Sequence, residues 1–521
     1  MKKGALKYYT FLPFLLLCCF YVYKAIAFPA HDFANYYFGG KFFAEGNLNS
    51  NIYFPYEFNK AIFNSGHSQI FASYAPNTPF LAIFFLIFSF ISLALAKLIF
   101  NGISVFLIIF SLYRLFLYYK IDWRHALLMP LLFFVPIKNE LLFGQVYFLL
   151  FFLLSECFLA YEKEQFKKTA FFLSLAILIK VFPLILVLLF VFKKQYKPLF
   201  YTFVFCFLFF GISTLFTGFD VWLFWFNSVL PKASNGEIAT AFVDNYQSVF
   251  MFLKRLFIYE KVENPHPFFH ADSLFIALVF AYKIGVLFLG YIISSKSSNS
   301  IIVFSYWILA SILLSPYGST YTFVLLLFPF LALVKSEISN SKKALFFIIL
   351  FLINNLPLSI FIQNVFPFSY LRLFLLLAFA ITFVVLLFQK SSIIKASIFS
   401  VFVFIIGSFF WESQPEKSSR FFSTQTPILI YNYEIKNNNL IYYYWNEKGE
   451  NKKNFTLCKS NNVCLKIKKN QIFYNNRQLT FDKSNKLKPI LINGKLLVFL
   501  SDYDRGIGFY SLRIIPVNFK L

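Results

Sequence analysis

The chain has 521 residues, of which 59% are hydrophobic and 14% are charged, and its formal net charge is +25. A water-soluble domain could not bury this much apolar surface, and repeated apolar runs of about 17–25 residues indicate membrane-spanning helices. Composition therefore predicts a polytopic membrane protein. The excess of lysine and arginine suits basic cytoplasmic loops next to membrane lipids, and no helix-turn-helix or zinc spacing indicates a nucleic-acid partner.

The first apolar run, residues 8–27, is expected to be a retained span, because no small-residue cleavage site follows it. Lysines in the first seven positions place the N-terminus inside, so residues 28–77 are expected outside. That outer segment opens with His31 and Asp32 at the rim of the bilayer. A charge there is costly unless it faces water, a partner or a substrate. Asp32 is therefore either a solvated acid at a helix end or a catalytic carboxylate.

The next apolar runs must be reconciled with the number of times that the chain crosses the membrane. Basic loops at 113–125, 161–168 and 335–343 are expected on the cytoplasmic side. An odd number of crossings must then separate residue 77 from residue 113. We therefore predict that 79–96 is a re-entrant or interface helix and that the span covers about 98–117. If both runs cross instead, the first two basic loops lie outside.

Further along, the pattern predicts a short helix at 125–137, an outer turn at 138–140 and a helix at 144–160. The apolar stretch 169–192 is broken by Lys180 and is expected to form two half-length helices. A helix at 199–217 is predicted to lead into a long outer loop at 218–272. Further spans are predicted at about 273–293, 301–314, 320–334, 344–361, 370–388 and 396–411. About 12–13 membrane helices result.

From Glu412 the character of the sequence changes to short alternating runs separated by Asn, Gly and Lys. Asn493-Gly494 between two strand-like runs is a hairpin signal. We therefore predict two domains, a membrane domain at 1–411 and a small all-β module at 412–521. Parity places the module outside the membrane.

Two of the six cysteines lie in this polar tail. Cys458 and Cys464 flank a short turn-like segment, and an extracytoplasmic compartment allows a disulfide to persist. We predict that they pair, the alternative being two unpaired strand cysteines. The other four lie in apolar runs and are expected to be packing residues, Cys18, Cys19, Cys157 and Cys206.

The ionisable residues are distributed unevenly. Almost none falls inside a predicted span, whereas a proton- or ion-coupled transporter would be expected to place charges there. Those of the outer segments are His31, Asp32, Glu45, Glu57, Glu140, Lys180, Asp244, Arg255, Glu260, Glu263 and Asp272. This distribution suits an enzyme that acts on a lipid-anchored substrate with an extracytoplasmic head group.

Several short motifs occur in a characteristic order. They are Asp32, Tyr36, Gly46 and Ile52-Tyr53, then Gly144-Gln145-Val146, Ile179-Lys180 with Pro183, Asn245-Tyr246-Gln247-Ser248 with Arg255, and Ser315-Pro316. Together, over about residues 8–390, they resemble glycosyltransferase family 87. The resemblance implies the GT-C membrane fold and the transfer of mannose from a polyprenyl-phosphate donor. The chain departs from the family pattern after Ser315-Pro316 and in the inserted Tyr246.

Transfer from a polyprenyl phosphate with inversion needs one general base, and positive charge to hold the leaving phosphate. The resemblance implies that Asp32 is the base and that Lys180 and Arg255 bind the donor phosphate. Sugar or acceptor contacts are expected from His31, Tyr36, Gln145, Asn245 and Gln247. The Asp502-Tyr503-Asp504 run only faintly resembles a calcium loop, so no metal and no cofactor are assigned.

We therefore predict a hexosyltransferase of the bacterial cytoplasmic membrane, with its active site outside and a glycan or glycolipid as acceptor. A flippase or permease for lipid-linked saccharides is the first alternative, although repeated halves and a charged mid-membrane path are not evident in the sequence. An envelope assembly protein that has lost activity is the second.

Overall fold

The chain forms two compact units, each assembled from separate stretches of sequence. The first contains Met1–Phe33, Ile91–Phe216 and Asp244–Ser418, and the second contains Ala34–Phe90, Thr217–Val243 and Ser419–Leu521. This computed structural model describes residues 9–68, 70–237, 242, 246–260, 264–357, 359–360, 366–388 and 429–517, the last range with gaps at 437–438, 447–448, 457–461, 475–476, 483 and 493. The predicted domain boundary at residue 412 lies outside the described residues.

The first unit is helical, and helices also make up much of the second. In chain order the α-helices are α1 (Leu12–Ala27), α2 (His31–Ala44), α3 (Pro55–Asn64), α4 (Pro79–Phe85), α5 (Leu93–Tyr119), α6 (Met129–Leu132), α7 (Phe134–Phe143), α8 (Tyr147–Glu162), α9 (Phe166–Ile179), α10 (Val187–Phe192), α11 (Tyr196–Thr217), α12 (Phe219–Phe224), α13 (Leu230–Ser234), α14 (Val249–Phe257), α15 (Asp272–Lys296), α16 (Ser300–Leu314), α17 (Leu327–Lys335), α18 (Asn340–Asn355) and α19 (Leu371–Phe388). Short 3-10 helices lie at Ser50–Tyr53, Leu86–Phe88, Trp123–Leu128, Phe182–Leu186, Thr320–Leu326 and Phe368–Tyr370.

Several of these helices are long and apolar enough to cross a membrane. Among the described residues there are four such helices, α5, α11, α15 and the segment Phe368–Val385, and up to six if two bent pairs each form one span. The number predicted from the sequence, about 12–13, also includes shorter apolar helices such as α16. The predicted class, a polytopic helical membrane protein with a small C-terminal all-β module, is confirmed.

The boundary predicted between 79–96 and 98–117 is wrong. Helix α4 and the 3-10 turn after it end at Phe88, and α5 begins at Leu93 and runs for 27 residues. The break falls at a pair of serines: the hydroxyl of Ser89 donates to the carbonyl of Leu86, and the carbonyl of Ser92 accepts the first hydrogen bond of α5. Serine side chains that bond nearby backbone atoms favour helix ends, which explains the position of this one.

The outer turn predicted at 138–140 is also absent. These residues lie inside α7, and the chain turns instead at Gly144, which follows α7 in the left-handed conformation. The reason is the environment of Glu140, which is buried and accepts a hydrogen bond from the backbone N–H of Phe148 (2.9 Å). An acid that accepts a hydrogen bond can lie at a buried position of a helix. The polar residue Glu140 therefore lies inside α7 and not in a turn. The break predicted at Lys180 is present, between the end of α9 and the 3-10 helix before α10.

The C-terminal strands are all antiparallel. They are β1 (Leu429–Lys436), β2 (Asn439–Asn446), β3 (Gly449–Thr456), β4 (Asn462–Cys464), β5 (Lys466–Lys468), β6 (Gln471–Tyr474), β7 (Arg477–Gln478), β8 (Lys486–Ile492), β9 (Leu496–Ser501) and β10 (Ser511–Pro516). Three sheets result, with strand orders β1-β2-β3, β10-β9-β8-β4 and β5-β6-β7. The predicted hairpin joins β8 to β9, with Ile492 opposite Leu496 and Gly494 at φ +64° between them.

A buried tyrosine links two of these sheets. Tyr433 of β1 donates its hydroxyl proton to the carbonyl of Val498 in β9 (2.9 Å), and its ring lies in a core with Ile492 and Leu500. A second polar contact holds the segment before β8, where the buried ammonium of Lys486 donates to the carboxylate of Asp482 (2.9 Å). The module therefore has both an apolar core and satisfied polar groups.

These strands pack against helical parts of the same unit. Tyr56 of α3 stacks on Tyr431 with ring centroids 4.2 Å apart. Lys232 of α13 donates to the carbonyls of Asp502 (2.8 Å) and Arg505 (2.6 Å), and its ammonium lies 3.4 Å from the Asp502 carboxylate. The run around Asp502 is the turn between β9 and β10, so its charge is used within the fold.

Candidate active site

The connection between α1 and α2 leads directly to Asp32 and is held by a lysine of α5. The buried ammonium of Lys97 donates hydrogen bonds to the carbonyl oxygens of Pro29 (3.0 Å) and Phe28 (3.4 Å). Asp32 follows in the first turn of α2, where the positive end of the helix dipole favours a carboxylate. The backbone just before Asp32 is therefore held in place by Lys97.

The turn between α7 and α8 brings an amide to this acid. Gln145 donates a hydrogen bond from Nε2 to Oδ2 of Asp32, at 2.5 Å. The preceding residue, Gly144, has φ +65°, and a Cβ there would lie 2.8 Å from Cβ of Phe33. Only glycine combines this backbone conformation with such a close approach. Gly144 therefore lets the turn approach α2 closely enough for Gln145 to reach Asp32.

Positive charge converges on the same carboxylate. Lys180, at the break after α9, is half-buried and interacts electrostatically with Asp32 and with Glu140. Lys97 interacts electrostatically with Asp32 as well. Glu140 is fully buried, and one of its carboxylate oxygens accepts the backbone N–H of Phe148 near the start of α8. Both lysines therefore lie within electrostatic reach of Asp32, and Lys180 also lies within reach of Glu140.

Tyrosine rings surround this cluster. Tyr147 and Tyr321 pack with their centroids 5.3 Å apart, and both interact with the charge of Asp32. Tyr246 packs edge-on against Tyr317 at 5.1 Å. Burial, together with the nearby carboxylate of Asp32, raises the pKa of Tyr246 far above its ordinary value. Tyr246 therefore stays a neutral phenol that can donate a hydrogen bond.

The segments 246–248 and 315–318 are packed into one assembly. The hydroxyl of Ser248 donates to the carbonyl of Pro316 (2.7 Å), and a Cβ at Gly318 would lie 2.6 Å from the backbone nitrogen of Gln247. The side chain of Gln247 is buried and donates to the carbonyl of Ser369 (2.9 Å). The two segments therefore pack directly against each other beside Tyr246.

Comparison with known proteins identifies the family to which this arrangement belongs. The model of glycosyltransferase family 87 matches residues 75–316. This match, over a little less than half of the 521 residues, supports membership of glycosyltransferase family 87. It is accordingly a membrane glycosyltransferase with several membrane helices. No curated protein and no solved structure matches it.

The match covers most of the candidate site of this family 87 protein. Gln145, Lys180 and Gln247 lie inside the matched range, whereas Asp32 lies before it. The structure brings Asp32 and Gln145 into direct contact and places Lys180 within electrostatic reach. The chemical roles assigned to these residues from the sequence stay predictions.

For two other predicted site residues, Tyr36 and Arg255, the described contacts are with residues outside the group around Asp32. Tyr36 lies one helical turn after Asp32 in α2, is buried and stacks on Phe85 with centroids 5.0 Å apart. Arg255 lies in the last turn of α14 and is half-buried, and its backbone carbonyl accepts from the side chain of Asn264. Neither placement tests the predicted contact with sugar or donor phosphate.

Some predictions fall on parts of the chain that the structure does not describe. Asn245 and Cys458 lie outside the described residues, as do the side chains of His31 and Cys464. The predicted disulfide stays a prediction, whereas Cys18, Cys19, Cys157 and Cys206 are free thiols. Among the described residues, no group of three or more His, Cys, Asp or Glu side chains could hold a metal ion.

Three residues close to the candidate site were not predicted from the sequence to belong to it. Lys97 stands alone within an apolar run, which is the one signal that could have marked it, because a lone charge in a span is costly. Glu140 was assigned to a turn. Tyr246 was noted only as an insertion in the Asn-Gln-Ser pattern, yet it is the residue of that segment with a described electrostatic interaction with Asp32.

Proposed function

We propose that this membrane glycosyltransferase transfers a sugar from a polyprenyl phosphate to an extracytoplasmic glycan or glycolipid, with inversion at the anomeric carbon. The resemblance to family 87 favours mannose as the sugar. The observation that carries the proposal is the contact between Asp32 and Gln145, with Lys180 in electrostatic reach of the same carboxylate. This pairing of one oriented acid with a nearby cation is what the reaction requires.

The proposed step balances as a single displacement. The acceptor hydroxyl oxygen forms a bond to the anomeric carbon while its proton passes to the carboxylate of Asp32. The bond between the anomeric carbon and the donor phosphate oxygen breaks, and its electron pair leaves with the polyprenyl phosphate. Lys180, joined by Arg255, stabilises the negative charge that develops there. The phosphate is a good leaving group, so no second catalytic acid is needed.

The other residues would orient the reactants. Gln145 fixes the position of the Asp32 carboxylate, because its amide donates a hydrogen bond to Oδ2. Lys97 anchors the backbone just before Asp32. The neutral hydroxyl of Tyr246 can donate a hydrogen bond to the sugar. His31, Tyr36, Asn245 and Gln247 are proposed as further contacts to sugar or acceptor hydroxyls.

The proposed location is the bacterial cytoplasmic membrane, with the active site and the C-terminal strands outside. Basic loops such as 161–168 support this orientation. Labelling of intact cells with a membrane-impermeant thiol reagent tests it. Lys468→Cys should be labelled above background and Gln165→Cys should not, because both positions are exposed and the proposed orientation puts them on opposite sides of the membrane. Labelling of Gln165→Cys alone would reverse the proposed orientation.

The activity itself is tested with purified protein and synthetic polyprenyl-phosphate mannose. Asp32→Asn should keep the fold and lower transfer at least about a hundredfold, since it removes the general base. Asp272→Asn is a matched control, because Asp272 also lies in the first turn of a helix and is exposed. Unchanged transfer by Asp32→Asn would contradict the assignment of the base. Absence of transfer by the folded wild-type protein with several sugar donors and acceptors would favour an inactive assembly protein.

A further inference from the structure

A cavity of about 700 Å³ lies between the N-terminal ends of α9 and α11, away from the acidic site described above. Three lysines line it, Lys167, Lys168 and Lys197, together with one acid, Glu164. Lys167 lies against the ring of Tyr201, 5.8 Å from its centroid, which holds its ammonium at the wall of the cavity. The cavity therefore carries an excess of positive charge.

Backbone dipoles add to this charge. Helix α9 has 14 residues and α11 has 22, and the first residues of both helices line the cavity. Among the described atoms, the side chain of Gln165 makes no capping hydrogen bond to the first turn of α9. Uncapped backbone N–H groups at helix N-termini favour an anion. Lysine side chains and helix ends thus attract the same kind of ligand.

The apolar surface that continues from the cavity indicates what the anion is attached to. Phe200 lines the cavity and is 63% exposed, and Phe203 and Phe207 follow it on the same face of α11 with 60% and 77% exposed. Helix α11 is a candidate membrane span, and only 11% of its apolar window is buried within the protein. This face is therefore available to acyl chains, with the cavity at its end.

We infer that this cavity binds the phosphate head group of an anionic phospholipid, whose acyl chains lie along the exposed aromatic face of α11. Basic cavities at the ends of membrane helices suit such head groups, and each lysine near the membrane surface adds to the attraction. Tyr196, 67% exposed at the start of α11, is an aromatic residue of the kind found at head-group depth. The inference is independent of the proposed transfer reaction.

The test uses the full chain, purified in a neutral detergent, and native mass spectrometry to measure bound lipid. Phosphatidylglycerol should bind at least about tenfold more tightly than phosphatidylcholine. A triple variant with Lys167→Gln, Lys168→Gln and Lys197→Gln should lose that preference. The matched control carries the same change of charge at exposed lysines elsewhere, Lys120→Gln, Lys163→Gln and Lys342→Gln, and should keep it. The thermal midpoint of each variant in detergent checks that it is folded.

Two further probes separate a lipid from a soluble anion. Inorganic phosphate and glycerophosphoglycerol, which has no acyl chains, should each bind at least about tenfold more weakly than phosphatidylglycerol. Equal binding of these soluble anions would overturn the assignment to a lipid. Equal binding of the two phospholipids, or the same loss in both triple variants, would overturn the assignment to this cavity.

Discussion

Replacing Gly144 by alanine should displace Gln145 from Asp32. The new Cβ would lie 2.8 Å from Cβ of Phe33 and 3.2 Å from two of its ring carbons. The left-handed conformation costs a non-glycine residue about 1–2 kcal/mol, and overpacking a filled interior costs about 1–3 kcal/mol. The combined strain is at least comparable with a hydrogen bond to a charged group, about 1.5–3 kcal/mol. The turn is therefore expected to move rather than keep that contact.

Loss of that contact corresponds to roughly a 10- to 150-fold decrease in transfer rate. The rate is measured with synthetic polyprenyl-phosphate mannose, and the thermal midpoint is measured on the same sample. Gly102→Ala provides the control, because no described atom lies within 4 Å of a Cβ at that position in α5. It should leave transfer unchanged. Wild-type transfer and stability in Gly144→Ala would refute the reasoning about the turn.

Three other substitutions test the surroundings. Glu140→Gln should keep most of the stability, since its amide oxygen can still accept from the start of α8, whereas Glu140→Ala should lose about 1 kcal/mol in thermal unfolding. Lys232→Met should destabilise the second unit by about 3–5 kcal/mol, because it leaves the buried Asp502 carboxylate without its cation. In the wild-type protein, acidification should lower the hydrogen-exchange protection of the C-terminal strands. Asp482→Asn should make this loss smaller. Burial raises the pKa of Asp482, but hydrogen bonds from neighbouring side chains outweigh it and hold that pKa below its ordinary value.

The direction of that pH effect follows from the lowered pKa. A carboxyl group of this kind stabilises the fold above its unfolded pKa, near ~3.9, and loses the contribution as pH falls through the folded value. Protection in the wild-type strands should therefore fall below about pH 4. An unchanged acid profile in Asp482→Asn would show that other groups control it. Equal stability of the Glu140 variants, or a neutral Lys232→Met, would contradict the other two expectations.

The sequence was sufficient to predict elements that local chemistry determines. The break at Lys180 was predictable, because a lysine followed closely by Pro183 interrupts an apolar stretch. The β character of the C-terminal region followed from alternation and from the glycine at 494. Asp32 and Gln145 were both named, but as separate motifs 113 residues apart. Their direct contact depends on the close approach of Phe33 to Gly144 in the turn after α7.

Long-range partners explain what the sequence did not reveal. The hydrogen-bond acceptors of Lys97 are carbonyls 68 and 69 residues earlier, which no local pattern identifies. Glu140 was predicted to lie in a turn because its hydrogen-bond donor is not evident from the sequence. That donor is the N–H group of Phe148, in the next helix. A polar residue inside an apolar region is thus ambiguous until its partner is known.

The discontinuous second unit has a consequence for synthesis on the ribosome. Tyr56 emerges early, but its stacking partner Tyr431 is translated roughly 375 residues later. At ~5–20 residues per second that delay is about 20–75 s. During this interval the nascent segment 34–90 exposes aromatic side chains that the finished protein covers. Premature termination before residue 429 would leave this segment permanently without the strands that cover it.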